Sequence, residues 1–295
     1  MKTSLFQVTI TAFISVMLPI SAMADLAPHG FKIDDEYEIV QSYETSEKSE
    51  DGSSGSSSGH DVLLERVIAI SENGIEFEYD VPTDEKHSKG LKQWQFPARI
   101  FKPFNGPPQL LNAAELELRA DRFLKKAKLN RKACGQWIFT WNAFQVECDP
   151  KSVIEIIEQY DLGSCNLDDG VKFQIPGAVQ AEGMRKKTTA PDATVFVVQL
   201  QVDPEYIRRA QAESDVVVGK IVGQPITFDQ ALSMHSADKI TGDIEVTLEP
   251  DTEGCVKRRT IYTKMEVSEL KGKRETREKT VILERRLLAM PKRPA

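Results

Sequence analysis

The dipeptide Asn73-Gly74 lies between two segments with clear strand patterns. The segment before it, VLLERVIAI from Val62, is rich in aliphatic residues, and the segment after it, IEFEYDV, alternates strictly between apolar and acidic side chains. Asn-Gly is strongly favoured in two-residue hairpin turns, because both positions need positive φ angles. We therefore expect an antiparallel β-hairpin with one buried face and one face in contact with solvent.

Further strand patterns occur toward both ends of the chain. One lies around Tyr37–Tyr43, two shorter ones lie at Lys172–Ile175 and Ala193–Val202, and three long ones follow: TGDIEVTLEP, GCVKRRTIYTKMEV and ETREKTVILERRLL. The short links between the last three favour antiparallel neighbours. The string VLLER at Val62–Arg66 recurs as VILER at Val281–Arg285. An internal duplication would explain this, but short strings of common strand residues also recur by chance.

Two helices are predicted in the middle of the chain. The segment NAAELELRADRFLKKAKL has an apolar stripe at helical spacing, with Asn112 as N-cap and Glu115 completing a capping-box pattern. In DPKSVIEIIEQYDLG, Asp149 is the expected N-cap, Pro150 the first helical residue, and Gly163 lies past the end.

Two more helices follow in the second half of the chain. Asp203-Pro204 marks the start of a third helix that runs to about Glu213, and a short helix is predicted around Phe228–Met234. The strand and helix patterns together predict an α+β fold: an antiparallel sheet built from N- and C-terminal strands, with a central αββα insert and further helices.

This pattern divides the chain into three regions after the N-terminal leader. Residues 25–104 form an N-terminal β region, 105–165 the αββα insert, and 166–295 the strands and helices that complete the sheet. We expect 25–295 to form one globular unit, because this length is sufficient to bury a substantial core.

The first residues have the layout of a secretory signal peptide, predicted over 1–24. Lys2 gives a short positive region, an apolar run follows, and Ala22-Met23-Ala24 fits a cleavage site after Ala24. An uncleaved membrane anchor is the alternative, but the apolar run is short and is interrupted by Thr and Ser. The predicted location is therefore periplasmic or secreted, with a soluble chain that does not span a membrane after cleavage.

The segment TSEKSEDGSSGSSSGHD, residues 45–61, contains no apolar residue. Such a segment cannot bury surface, so we expect a disordered Ser/Gly loop. Gly55–Gly59 matches the pattern G-x-S-x-G, but a nucleophile elbow requires a tight turn between a buried strand and a helix. The surrounding residues are polar and a strand follows, so no catalytic residue is predicted here.

Four cysteines in an exported chain favour two disulfides. Cys134 and Cys148 border a predicted hairpin, whereas a helix of about 20 Å would separate Cys148 from Cys165, too far for a bridge. We therefore expect a Cys134–Cys148 disulfide and, by elimination, a Cys165–Cys255 disulfide. Gly135 is placed to supply the bend that the first bridge needs.

The hairpin between Cys134 and Cys148 is unusually aromatic. A two-residue turn at Asn142-Ala143 would place Trp141 opposite Phe144, Phe139 opposite Val146 and Trp137 opposite Cys148. One face of the hairpin would then carry Trp137, Phe139, Trp141 and Phe144. This face is either a platform for a sugar or lipid ligand or, as we favour, an apolar surface that flanking helices cover.

No motif in the sequence indicates a metal or cofactor. The four histidines, His29, His60, His87 and His235, are far apart and none forms an H-E-x-x-H arrangement. There is no C-x-x-C pair, no EF-hand loop and no Gly-rich phosphate loop. We therefore predict no catalytic, metal or cofactor-binding residues and no cofactor, although paired carboxylates that meet only in space escape sequence reasoning.

The charge is unevenly distributed along an acidic chain. Asp25–Asp61 holds ten acidic and two basic residues, and Val256–Ala295 holds thirteen basic and five acidic ones. The basic end could contact an acidic surface or anionic lipid, but we favour mutual neutralisation of the two ends. No nucleic-acid partner is expected, because the chain lacks a concentrated basic and aromatic surface.

These features predict an exported, non-catalytic protein that binds an unknown envelope protein or an apolar, lipid-like ligand, which a curved sheet with a covering helix could hold. Two alternatives come from different classes of protein. One is a periplasmic hydrolase of envelope polymers, and the other is a structural or assembly protein whose strand edges pair with another chain.

Overall fold

The computed structural model describes residues 30–82, 94–139, 143–163, 167, 175–179, 186–190, 193–268 and 274–288. Over these residues the fold is dominated by one large antiparallel sheet, accompanied by four α-helices and a small separate hairpin. The predicted α+β class with an antiparallel sheet is confirmed at this level. The predicted leader, residues 1–24, lies outside the described residues.

The large sheet contains ten of the described strands: β1 (Glu36–Ser49), β2 (Ser54–Ser71), β3 (Gly74–Asp80), β4 (Ala98–Pro103), β5 (Gln109–Leu110), β8 (Lys186–Ala190), β9 (Ala193–Gln201), β10 (Lys239–Pro250), β11 (Val256–Ser268) and β12 (Arg274–Leu287). The small hairpin contains β6 (Trp137–Phe139) and β7 (Ala143–Gln145). The helices are α1 (Ala113–Lys126), α2 (Ser152–Gln159), α3 (Pro204–Ile221) and α4 (Phe228–Met234), and a 3₁₀ turn spans Arg131–Ala133.

The strand order of the large sheet is β5-β4-β3-β2-β1-β12-β11-β10-β9-β8. Two meanders, one from each end of the chain, meet where β1 pairs antiparallel with β12, from Tyr37↔Leu287 to Ser49↔Glu275. The prediction that the sheet combines N- and C-terminal strands is therefore confirmed. The expected hairpin between β2 and β3 is also present, but its two-residue turn is Glu72-Asn73 and not the predicted Asn73-Gly74, because Gly74 already pairs with Ser71.

The prediction of a disordered Ser/Gly loop over residues 45–61 is wrong. Strands β1 and β2 continue through it and remain paired as far as Lys48↔Ser54. Strand β1 also pairs with β12 on its other edge. It therefore has ladder hydrogen bonds along both edges, and these hold it in the sheet without apolar side chains. Tyr43 also lies across Gly59, where an added Cβ would be 2.8 Å from the Tyr43 ring.

The helix boundaries also differ in detail from the prediction. Asn112 does not cap α1 through its side chain. Its Oδ1 accepts a hydrogen bond from the backbone N–H of Arg99 at 3.0 Å, and its amide donates to the carbonyl of Pro97 at 3.3 Å, which ties the start of α1 to β4. The other differences are that α2 begins at Ser152 rather than Pro150 and that α3 continues to Ile221.

The core lies on one face of the large sheet. Alternate residues of the strands are buried there and pack in one cluster with residues of α1 and α2. Its fully buried members with the largest side chains are Ile39, Leu63, Val67, Tyr79, Ile100, Leu116, Val153, Ile157, Val198, Leu248 and Leu283. We call this the inner face of the sheet.

Candidate functional site

The first predicted site residues are the cysteines. Cys134 and Cys148 form a disulfide with a Cα–Cα distance of 5.6 Å. Cys255 is also disulfide-bonded, but Cys165 lies outside the described residues, so its pairing with Cys255 stays a prediction. Around the first bridge, a small apolar cluster contains Leu124 of α1, Val146 and Cys148, with Ile138 packed against it.

The register of the aromatic hairpin differs from the predicted one. Trp137 pairs with Gln145, Ile138 with Phe144 and Phe139 with Ala143. The two-residue turn at Asn142-Ala143 is therefore wrong, because residues 140–142 separate the paired ends.

This register also changes the neighbours of the hairpin residues. Ile138, which in the predicted register lies on the face opposite the four aromatic residues, packs against the small cluster at the disulfide. Trp137 is half-buried, and Trp141 lies outside the described residues. Whether Trp137, Phe139, Trp141 and Phe144 serve a ligand or the core stays a prediction.

A network of ionisable side chains lies at the centre of the inner face. Glu65 on β2 is fully buried and forms an ion pair of 3.0 Å with Arg285 on β12. The Tyr79 hydroxyl on β3 donates a hydrogen bond of 2.5 Å to Glu65. Burial, and then the negative charge of Glu65, raise the pKa of Tyr79 well above its usual value. The hydroxyl therefore stays protonated and keeps donating.

Strand register explains why these distant residues meet. Glu65 is the direct cross-strand partner of both Tyr37 and Tyr79, and Arg285 is opposite Ile39 on β1. Paired residues share a face of the sheet, so β12, β1, β2 and β3 bring the four polar side chains to one side.

Aromatic rings complete the surroundings of Arg285. Its guanidinium lies 5.2 Å from the ring centroid of Phe31 and 5.6 Å from that of Tyr37, distances that suit cation–π attraction. The Tyr37 hydroxyl donates to Asp35 at 3.2 Å. Burial and the neighbouring Asp35 raise the pKa of Tyr37. Arg285 is thus held by one carboxylate and two rings, in a largely dry environment.

Asp161, just after α2, faces three cations of the sheet. The nearest is Lys102 of β4, whose Nζ is 3.7 Å from Oδ1 of Asp161. Burial opposes the charge of Asp161, but Lys102, the N–H of Gly163, and then Arg285 and Arg259 together hold its pKa below the usual value. The carboxylate is therefore ionised at neutral pH.

Arg259 on β11 is the least satisfied member of this group. It pairs with Leu283 on one side and Leu248 on the other, both buried, so it belongs to the inner face. Within the described part of the chain, no hydrogen bond or ion pair to its guanidinium is found. Burial lowers the pKa of Arg259, and the charge of Asp161 offsets this only in part. The sheet thus presents a half-buried cation that is attracted by Asp161 but forms no ion pair with a described carboxylate.

The sequence contained a signal for this network. Glu65 and Arg285 lie in the repeated strings VLLER and VILER, at positions where Leu63 and Leu283 set the buried parity of each strand. A charged residue at a buried strand position is itself informative, because burial of a charge requires a partner. The identity of the partners depends on strand order and could not be read from the sequence.

The other motifs do not form an alternative site. Ser56–Ser58 and His60 lie along strand β2, so the match at Gly55–Gly59 is not a strand-to-helix elbow. Over the described residues, no group of three or more His, Cys, Asp or Glu side chains is arranged to hold a metal ion. The acidic and basic ends of the chain are neighbours, since β1 and β12 pair and Glu47 lies 3.9 Å from Arg277.

A second polar cluster joins α3, α4 and the start of β10. His235 contacts Asp238 through Nδ1 at 2.9 Å and Asp215 through Nε2 at 2.8 Å. Burial lowers the pKa of His235, but the hydrogen bonds that its ring donates to the Asp238 and Asp215 carboxylates outweigh burial and raise the pKa above the ordinary value. The cluster links α3 to α4 and to the start of β10.

None of the helices in the described ranges combines the length and apolarity that crossing a bilayer requires.

Comparison with known proteins gives little further definition. No family model matches the chain, and no curated protein matches it. Among solved structures, one that describes lipid–protein interactions in lipovitellin has a TM-score of 0.36 and 8% identity, and the match covers 90% of this chain but only 27% of that one. An outer membrane channel of Pseudomonas putida F1 has a TM-score of 0.21 and 8% identity over 88% of this chain and 98% of that one. Likenesses at these scores carry no argument about function.

Proposed function

We propose that this chain is a non-catalytic binding protein whose inner sheet face holds an apolar ligand with an acidic head group. The observation that carries the proposal is Arg259, a half-buried cation without an anionic partner among the described residues. A charge removed from water is costly unless it is paired. A carboxylate or phosphate of a ligand would supply the missing charge.

The surroundings of Arg259 suit the apolar part of such a ligand. Its register neighbours Leu248 and Leu283 are buried, and Val246 and Ile261 continue the same face one pair further along β10 and β11. Arg259 therefore lies among apolar side chains of the inner face, most of them buried, with Ile261 partly exposed. Ligand sites typically combine such an apolar lining with a few convergent polar groups.

The neighbouring charges would orient the head group. Asp161 repels an anion from the side of α2, while Arg285 is occupied by Glu65 and Lys102 lies beside Asp161. Arg259 is then the cation available to an incoming anion. The network around Glu65 supports this surface by holding β12, β2 and β3 in fixed register.

Binding of sodium oleate to the purified chain tests the proposal, with uncharged oleyl alcohol as the comparison probe. We expect calorimetry to show oleate binding that Arg259→Met weakens at least tenfold. Arg258→Met is the matched control. Arg258 immediately precedes Arg259 on β11 and therefore lies on the opposite face of the sheet, where its Nε is 3.6 Å from Oε1 of Glu249. Equal affinity of the Arg259→Met variant and the unmodified chain would refute the role of Arg259. Equal binding of the alcohol would refute selection for an acid.

The edges of the sheet favour a second candidate, strand-to-strand assembly. The large sheet is open in the described part of the chain, with β5 and β8 as its end strands. Strand β5 has two residues, too short to template a partner, whereas β8 has five. If the chain self-associates through β8, we expect the substitution Thr188→Pro to abolish that association. Light scattering of that variant, beside the unmodified chain, distinguishes assembly from a carrier that stays monomeric.

A further inference from the structure

Helix α1 and the turn after it concentrate positive charge. Arg119–Lys132 contains seven basic residues and one acidic residue, in a chain with a formal net charge of −7. Six of these basic side chains are exposed: Arg122, Lys125, Lys126, Lys128, Arg131 and Lys132. The charge is therefore a property of this surface and not of the protein as a whole. We call these six residues the α1 basic surface.

Most of this charge is not neutralised by neighbouring carboxylates. Arg131 pairs with Glu117 at 2.6 Å and with Asp121 at 2.8 Å. Of the described carboxylates, none lies within ion-pair distance of the other five: Arg122, Lys125, Lys126, Lys128 and Lys132. The negative end of the helix dipole explains cations in the last turn. It does not explain Arg122, which precedes that turn.

Apolar side chains are exposed beside these cations. Leu118 is 63% exposed and Phe123 is 39% exposed, although both lie on a helix that packs against the core through its other side. Next to Phe123 an open groove of about 710 Å³ is lined by Val81, Trp94 and Phe96, with Arg122 and Lys126 among its lining residues. Cations, an exposed aromatic ring and an apolar groove therefore occupy one surface.

We infer that the α1 basic surface docks the protein peripherally on an anionic lipid surface. The unpaired cations contact head-group phosphates, and Phe123 enters the boundary between head groups and acyl chains. Proteins that bind membrane surfaces use these residue types, Lys and Arg for anionic lipid and Phe or Leu for the acyl boundary. An acidic protein partner would also match the charge, and vesicles of lipid alone separate the two, because a surface specific for such a partner leaves them unbound. This docking is independent of the ligand proposed for the inner face.

Vesicle flotation of the chain without its predicted leader, residues 1–24, tests this inference. One set of vesicles is pure phosphatidylcholine and the other contains phosphatidylcholine with about one third phosphatidylglycerol. We expect binding to the anionic vesicles, little binding to the neutral ones, and a decrease as salt rises, because basic segments are attracted by surface potential within a Debye length. Absence of binding to the anionic vesicles, or equal binding to both sets, overturns the inference.

Variants identify the surface that is responsible. Neutralising Arg122 and Lys126 to Gln should weaken partitioning about thirtyfold, given the contribution of each cation near an anionic membrane. Phe123→Ser should weaken it without any change in charge. The control Lys220→Gln/Lys239→Gln removes the same charge from two exposed lysines elsewhere. Equal loss in this control, or full binding by the Arg122/Lys126 variant, assigns any binding to overall charge or to another surface and overturns the inference. Circular dichroism confirms that each variant is folded.

Discussion

Glu65 and Arg285 lie 220 residues apart in the chain and form a 3.0 Å ion pair at the centre of the inner face. Glu65 is fully buried and Arg285 is 16% exposed, so Glu65 has no access to water and Arg285 has little. The pair joins the N-terminal meander to the C-terminal one across β1. Loss of one member therefore leaves the other buried and unpaired.

The first prediction concerns this pair. Glu65→Gln should lower the free energy of unfolding by about 3–5 kcal/mol, the usual cost of removing one partner of a buried pair. The double variant Glu65→Leu/Arg285→Met, made together with Tyr79→Phe so that no buried hydroxyl loses its acceptor, should lose much less, because no uncompensated charge remains. Urea denaturation of the three proteins measures the difference. A double variant as unstable as Glu65→Gln would show that the pair contributes chiefly through packing of its side chains.

The second prediction concerns the disulfide between Cys134 and Cys148. It closes a loop with a sequence separation of 14, for which the chain-entropy model gives a stabilisation of about 3 kcal/mol. We expect Cys134→Ala/Cys148→Ala to lower stability by up to this amount. Hydrogen exchange should increase first at Leu124 and Val146, which pack at the bridge. Unchanged exchange there would mean that α1 holds the hairpin without the bridge.

Strands β2 and β3 and Arg259 show how much of the fold and of the candidate site can be predicted from the sequence. The alternation around Phe77 and Tyr79 predicts β3 and its buried side, because that information is local. The sequence of Ser54–Gly59 predicts a loop, although the structure has a strand there. The strand is held by hydrogen bonds to β1, which in turn pairs with β12 from the far end of the chain, and a local pattern does not contain this information. The sequence does not single out Arg259 either, because its lack of an ion-pair partner becomes visible only in the assembled inner face. Local sequence patterns carry no information about such pairing between distant segments.

The third prediction concerns pH. His235 donates to Asp215 and Asp238 at the same time only when both ring nitrogens carry protons, so the folded state favours the imidazolium and raises its pKa. Its contribution to stability should be fully present below about pH 6.5, the ordinary histidine value, and should be lost as pH rises through the raised pKa.

Unfolding free energies measured between about pH 5 and pH 9 test this prediction. The difference in stability between the unmodified chain and His235→Gln should shrink as pH rises, because the neutral ring can donate to only one of the two carboxylates. A difference that stays constant with pH would contradict the linkage and leave only a packing role for the ring.

The fourth prediction compares two glycines in different strands of the large sheet, Gly242 in β10 and Gly59 in β2. At Gly242 in β10 an added Cβ would lie 2.4 Å from the backbone carbonyl oxygen of Lys264 on β11, and the backbone cannot yield without breaking that ladder. At Gly59 the nearest atoms belong to the ring of Tyr43, which is partly exposed and free to turn away. Gly242→Ala should therefore destabilise the protein by a few kcal/mol, whereas Gly59→Ala should cost under about 1 kcal/mol. Thermal unfolding of both variants measures the contrast, and equal costs would show that the β10–β11 register adapts more easily than the structure implies.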